Sequence, residues 1–166
     1  MTISYATEYQ VSDLGETRQV AKEIAAVLLS RRSGVILFRG PLGAGKTTLV
    51  QSICRHLGIR DTVTSPTFDL LHQYVIEELT VFHIDGYRLS DPGEWEVLDL
   101  PSQDELGFII LAEWGSILQA DYPDRLEVDV ELTDLSGETR RIRLQGIGPF
   151  WSHQVREWEG VHARGI

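Results

Sequence analysis

The residues Gly40-Pro41-Leu42-Gly43-Ala44-Gly45-Lys46-Thr47 constrain this chain more than any other stretch, because they fit the pattern G-x-x-x-x-G-K-[ST]. The pattern has a mechanism only between a strand and a helix, and both are legible here. Val35–Phe38 (VILF) is a short apolar run bounded by turn residues, as in a strand buried on both faces of a parallel sheet. From Thr47 to about Leu57, the residues Leu49, Val50, Ile53 and Leu57 fall on one helical face, and Gly58 is placed to cap its end. Gly43 and Gly45 allow the backbone to approach an anion with no Cβ in the way. Successive N–H groups then converge as a nest, and the helix start adds its positive end. On this reading Gly43, Ala44, Gly45, Lys46, Thr47 and Thr48 bind phosphate. Lys46 reaches the β- and γ-phosphates, the Thr47 hydroxyl ligates Mg²⁺, and Thr48 donates on the α-phosphate side. The competing reading, a glycine turn that merely caps a helix, is disfavoured because context and spacing agree.

The remaining pattern is that of one α/β domain of 166 residues, with a parallel core and antiparallel additions. Residues 2–11 read as a short edge strand or loop. Asp13 and Glu16 form a capping box ahead of a helix whose inner face carries Val20, Ile24, Val27 and Leu28, and Gly34 is expected to end it. Phe68–Ile76 and Leu79–Asp85 read as a hairpin turning at Glu77-Glu78, and Phe108–Ala112 as another fully apolar strand. Leu126, Val128, Val130 and Leu132 alternate with Glu127, Asp129 and Glu131, which predicts a half-solvated antiparallel strand. Arg141 and Arg143 on a return strand would face those acids. The domain spans 1–148. The segment 149–166, with Trp151 and Trp158, reads as a C-terminal tail or short docking helix of unassigned role.

A phosphate-bound Mg²⁺ needs a carboxylate at the end of a neighbouring strand, and an attacking water needs an orienting group. Glu113 ends the run FIILA and Asp85 ends VFHI, which puts both at the C-terminal edge of the sheet, where such folds bind ligands. Glu113 is assigned to the metal and Asp85 to the metal's water shell or to water positioning, with the two roles exchangeable on sequence grounds. With Lys46 they make the catalytic set. Thr67, in Ser65-Pro66-Thr67-Phe68, stands where a nucleotide-sensing loop would, and Arg88 is a candidate to steady Asp85 or touch phosphate. His72 and His83 lack partners at metal-ligand spacing and read as packing or exposed residues. Cys54, the single cysteine, reads as core filler, and Trp114 as packing or partner surface.

These pieces together resemble the TsaE (YjeE) family of small P-loop ATPases in bacterial tRNA threonylcarbamoyladenosine (t6A) biosynthesis. The resemblance is carried by Gly40–Thr48, Ser65–Phe68, the stretch His83-Ile84-Asp85-Gly86-Tyr87-Arg88 and Glu113-Trp114, in order, over about residues 12–145. It implies a P-loop NTPase three-layer sheet, ATP with Mg²⁺, metal association for Thr47 and Glu113, and a requirement for Asp85 in hydrolysis. It also implies binding to the TsaB–TsaD heterodimer, in which TsaD performs the transfer to adenosine 37 of tRNA while slow ATP hydrolysis by this component sustains turnover. Pro41 stands where the family usually has Asp, Gly86 replaces a usual apolar residue, and the resemblance names no counterpart for the tail after about Gly148.

Charge agrees with that division of labour. With 15 Lys plus Arg against 25 Asp plus Glu, the net charge is −10 and only Lys22 and Lys46 are lysines, so tRNA contact is expected through partners and DNA binding is not expected. The start MTISYATEYQ lacks a basic and an apolar region, no run approaches a membrane span, and one cysteine fits a reducing compartment, so a cytoplasmic location is expected. The chain has no asparagine, which excludes the guanine-reading N-K-x-D motif. Two other readings stand beside the ATPase: a small-molecule kinase, weakened because residues 89–107 hold no arginine for a lid, and a non-catalytic ATP-dependent interaction switch.

Overall fold

The computed structural model describes the chain except residues 1, 42, 61, 62, 64–70, 88, 90, 135, 136, 138 and 164–166, and the side chains of 161–163. Leu42, the Ser65–Phe68 segment with Thr67, and Arg88 therefore lie outside the described residues. Seven strands form one sheet in the order β1-β7-β6-β2-β5-β4-β3. Its centre is β2 (Gly34–Arg39), flanked in parallel by β5 (Phe108–Glu113) and β6 (Arg125–Leu132), with β4 (Leu79–Asp85) parallel to β5. The antiparallel additions are β3 (Leu71–Ile76) on β4, β7 (Arg140–Ile147) on β6, and β1 (Ser4–Val11) on β7. The parallel core with antiparallel edges is the architecture expected from the sequence.

Alternation along the buried strands separates two cores. Ile36, Phe38, Ile109 and Leu111 face α1 (Leu14–Arg31), α2 (Lys46–Leu57) and α4 (Pro149–Ala163). Val35, Leu37, Phe108, Ile110 and Ala112 face Trp95 of the short α3 (Pro92–Glu96) and Leu118 of the 3₁₀ turn Ser116–Gln119. A strand buried on both faces must be apolar at every position, and so VILF and FIILA could be read from sequence.

Three local expectations need correction. The helix α1 does not end at Gly34. It ends with Arg32 in the left-handed region (φ 58°), whose N–H bonds the Leu28 carbonyl, and Gly34 already belongs to β2. A Cβ there would sit 2.4 Å from Leu28 Cδ2, so any larger residue would force that side chain to move. The capping box is also shifted at one end: Asp13 Oδ1 accepts from Glu16 N–H at 2.8 Å, while Glu16 Oε2 accepts from Ser12 N–H at 2.9 Å rather than from Asp13. Finally, β6 is antiparallel only on the β7 side, and Glu127 is buried rather than solvated. Arg39 and Arg125 hold its carboxylate at 3.0 and 2.7 Å, which makes burial of that charge tolerable. The expected facing of Arg141 and Arg143 with Glu131 and Asp129 is present, at 3.6 and 3.9 Å.

The helix α4 rests on β1 and β7, with Trp151 and Val155 fully buried in the first core. Two backbone N–H groups at its start, of Phe150 and Trp151, are accepted by the Asp124 carboxylate. Trp151→Ala is expected to lower unfolding free energy by about 3–5 kcal/mol, read from urea unfolding. Cys54 gives a pH signature. Burial pushes its thiol up to about 12, so its share of stability is complete below about pH 9 and is lost as pH rises toward that value. Between pH 8 and 10 the chain is expected to lose about 1 kcal/mol more stability than Cys54→Ala does.

Candidate nucleotide site

Three neighbouring strands deliver their ends to one place. In register, Phe38 of β2 lies beside Glu113 of β5, and Glu113 beside Asp85 of β4. The turns that follow are stitched together: Trp114 N–H donates to the Phe38 carbonyl at 3.1 Å, and Gly86 N–H to the Glu113 carbonyl at 2.7 Å. After β2 the chain enters the glycine loop, and Gly45 (φ 104°) opens α2. A side chain at Gly45 would strain the backbone and meet Arg140, 2.8 Å from the Cβ position. The result is a cavity of about 270 Å³ at the start of α2, lined by the loop glycines, Lys46, Thr47, Thr48, Asp85 and Glu113, and also by Trp114 and Arg140. Ala44 is buried beneath the loop, bonded through its backbone.

The side chains inside are coupled. Thr47 Oγ1 donates to Glu113 Oε1 at 3.2 Å. The other carboxylate oxygen, Oε2, lies 2.8 Å from Nε2 of His83, and both residues are almost wholly inaccessible. His83 Nδ1 has no partner among the described residues, so Nε2 is the nitrogen that presents its proton to the carboxylate. Lys46 is 5% exposed and its ammonium donates to the Gly40 and Pro41 carbonyls. The same ammonium lies 4.0 Å from the centre of the Trp114 ring, which in turn packs on Tyr87. Burial pulls the Lys46 ammonium below the usual lysine value, and the carboxylates of Glu113 and Asp85 pull it back up. Asp85 Oδ1 accepts from Tyr87 N–H at 3.1 Å, which orients that carboxylate at the strand end.

Every described residue singled out in the loop, together with Asp85 and Glu113, lines or adjoins this one cavity. Three further members have no site role assigned from the sequence. His83 reads there as packing or exposed. It sits on the strand beside Glu113, and only the β4–β5 register reveals the pair. Trp114 covers the lysine because it adopts φ 58°, a conformation that its sequence does not announce. Arg140 arrives from β7, its Nε donating to the Ala44 carbonyl at 2.9 Å across 96 residues, and no local signal marks it. Replacing His83 with Leu leaves a buried carboxylate oxygen unpaired. The expected loss is about 1–3 kcal/mol in urea unfolding, partly restored in His83→Gln, whose amide can donate.

Comparison with known proteins places this geometry in context. The profile of the family described as "Threonylcarbamoyl adenosine biosynthesis protein TsaE" matches residues 11–142. The tRNA threonylcarbamoyladenosine biosynthesis protein TsaE of Streptomyces coelicolor is 33% identical over 143 residues, covering 81% of this chain and 93% of that protein. Its counterpart in Rickettsia felis is 37% identical over 130 residues, covering 76% of this chain and 72% of that protein. The one in Bacillus subtilis is 32% identical over 134 residues, covering 80% and 81%. The crystal structure of Bacillus subtilis YdiB superposes with a TM-score of 0.72 over 97% of this chain and 98% of that one, at 23% identity, a likeness of fold. The match of the profile to most of the chain, and of these relatives along most of their own length, establishes that this protein belongs to the TsaE family of threonylcarbamoyl adenosine biosynthesis.

Proposed function

We propose that this chain binds and hydrolyses ATP, with Mg²⁺, as the energy-using component of tRNA t6A modification, and that its hydrolysis sustains turnover of a TsaB–TsaD pair. The observation that carries the reading is the Thr47–Glu113 hydrogen bond beside Lys46, at the mouth of a glycine loop, in a chain of this family. A hydroxyl and a carboxylate in contact are hard oxygen donors suited to Mg²⁺, which commonly takes one or two protein oxygens and completes its shell with phosphates and water. Among the described residues no cluster of three His, Cys, Asp or Glu offers a metal cage of its own, in keeping with a metal that arrives with its nucleotide. Thr47 and Glu113 would hold it there. Bound Mg²⁺ supplies charge neutralisation across the β- and γ-phosphates.

The chain's own groups account for the rest. Loop amides and the α2 N-terminus face phosphate oxygens. Lys46 exchanges its loop carbonyls for phosphate and spreads the negative charge that builds up as water attacks the γ-phosphorus and ADP leaves. Asp85, held by the Tyr87 amide, orients that water and accepts hydrogen bonding from it. His83 fixes the rotation of Glu113 so that Oε1 stays toward Thr47. Contact with tRNA falls to the partners, because a chain of net charge −10 repels phosphate backbone. A cytoplasmic setting follows from that role. Among the described residues no helix is long and apolar enough to cross a membrane.

Phosphate release from ATP-Mg²⁺, measured with and without TsaB–TsaD, tests the proposal. A low basal rate that rises on adding the pair is expected. Transfer of phosphate to a small-molecule acceptor, or no ATP binding by calorimetry alone or with the pair, would overturn it. Lys46→Ala is expected to lose nucleotide affinity while keeping its fold. Glu113→Ala and Asp85→Ala are expected to bind ATP yet hydrolyse it at least about 100-fold more slowly. Full multi-turnover tRNA modification by both of the latter would favour the interaction-switch reading.

A further inference from the structure

Residues 89–124 contain nine carboxylates and no Lys, Arg or His. The fold gathers part of this stretch into an open groove of about 500 Å³ between α3 with its following loop and the 3₁₀ turn Ser116–Gln119. Its floor is apolar, made by Trp95, Leu118 and Tyr122. Its rim is acidic, with Glu96, Asp99 and Asp121 all exposed. Beside it stand aliphatic side chains open to solvent, Val97 at 83% and Ile117 at 37% exposure. The phosphate site uses none of these residues.

Two lining residues of this groove touch the turns that follow Asp85 and Glu113. Trp95 is pressed against Gly86, the residue after Asp85, so closely that a Cβ at Gly86 would lie 2.3 Å from its ring. The packing of Trp95 therefore leaves no room for a side chain at position 86. The opposite wall begins three residues after Glu113, and Leu118 N–H donates to the Gly115 carbonyl at 2.9 Å.

We propose that this groove is the docking site for a cationic segment of a partner protein, one large apolar side chain seated on Trp95 and Leu118 and flanking Lys or Arg residues paired with Glu96, Asp99 and Asp121. Charge complementarity selects this occupant. Nucleic acids and anionic membranes are repelled by the rim, and so is a second copy of a chain at −10. Because Trp95 of the groove packs against Gly86, the residue after Asp85, engagement acts on hydrolysis more than on ATP affinity. The assignment rests on the functional reading above for the identity of the partner.

The test uses the full chain with three changes: the rim reversal Glu96→Lys with Asp121→Lys, the groove-filling Ala120→Trp, and a control reversal of equal charge at exposed distant sites, Glu77→Lys with Glu157→Lys. Calorimetry reads affinity for the TsaB–TsaD pair at two salt concentrations, and ATP affinity of each chain alone. The rim reversal and the filled groove are each expected to weaken the pair's binding at least tenfold. The control should change it less than threefold, and ATP affinity should stay within twofold throughout. Weaker salt dependence in the rim reversal than in the unaltered chain would support the ionic contacts. Unaltered pair binding by both groove variants, or tighter binding by the rim reversal, overturns the groove assignment and leaves the ATPase reading standing. Failure of the unaltered chain to bind the pair overturns the ATPase-partner reading and this assignment with it.

Discussion

Glu113 is a carboxylate at the end of a strand whose six residues are all buried, and a charge in that position is costly unless each oxygen has a partner. One oxygen is met by Thr47, the first threonine of α2, and the other by His83 of the neighbouring strand. Those two bonds tie the glycine loop, β4 and β5 into a unit, and the backbone bridges from Trp114 and Gly86 repeat the connection one turn further out. The ends of three strands therefore hold one fixed arrangement. That preorganisation is what electrostatic catalysis of phosphoryl transfer asks of a protein.

The energetic character of the site is a balance of scarce charges. Lys46 is one of two lysines in the chain; burial holds its ammonium below the usual lysine value, an effect that the carboxylates of Glu113 and Asp85 oppose, while a ring face and loop carbonyls contact it. Arg140 adds a second cation at the loop from a distant strand. The two cations there stand with the carboxylates of Asp85 and Glu113, so the cavity is balanced in charge within a chain of net charge −10. On the proposed reading, an anionic ligand is drawn in by local geometry and not by the long-range field of the molecule.

Much of this was readable in the residues because it depended on local pattern. The loop, the strand before it and the helix after it follow from spacing and from burial on both faces, which forbids polar residues within VILF and FIILA. Asp85 and Glu113 are legible as strand-end acids because each directly follows a short apolar run, and β4 and β5 do end at them. What stayed hidden depended on contacts between distant elements. Glu127 follows the alternation of a solvated face, yet Arg39 and Arg125 allow it to be buried, so period alone misjudged its environment. His83 needed the register of β4 on β5, and Arg140 needed the position of β7. Gly34 was read as a helix stop because glycine often is one. Here it lies in β2, close against a leucine side chain.

The pairing of β1 with β7 brings together strands from opposite ends of the sequence, with Ser4 beside Ile147. Such a ladder cannot begin to form until nearly the whole polypeptide has been gathered, and the entropy of closing so large a loop must be met before any bond in it repays the cost. Local units such as the β3–β4 hairpin and the α1–β2–α2 segment have no such wait. The topology thus implies an order of assembly in which the half that carries the glycine loop is organised early and the outer border of the sheet is the slow step, leaving an unpaired β7 edge as the surface most open to wrong associations while folding is under way.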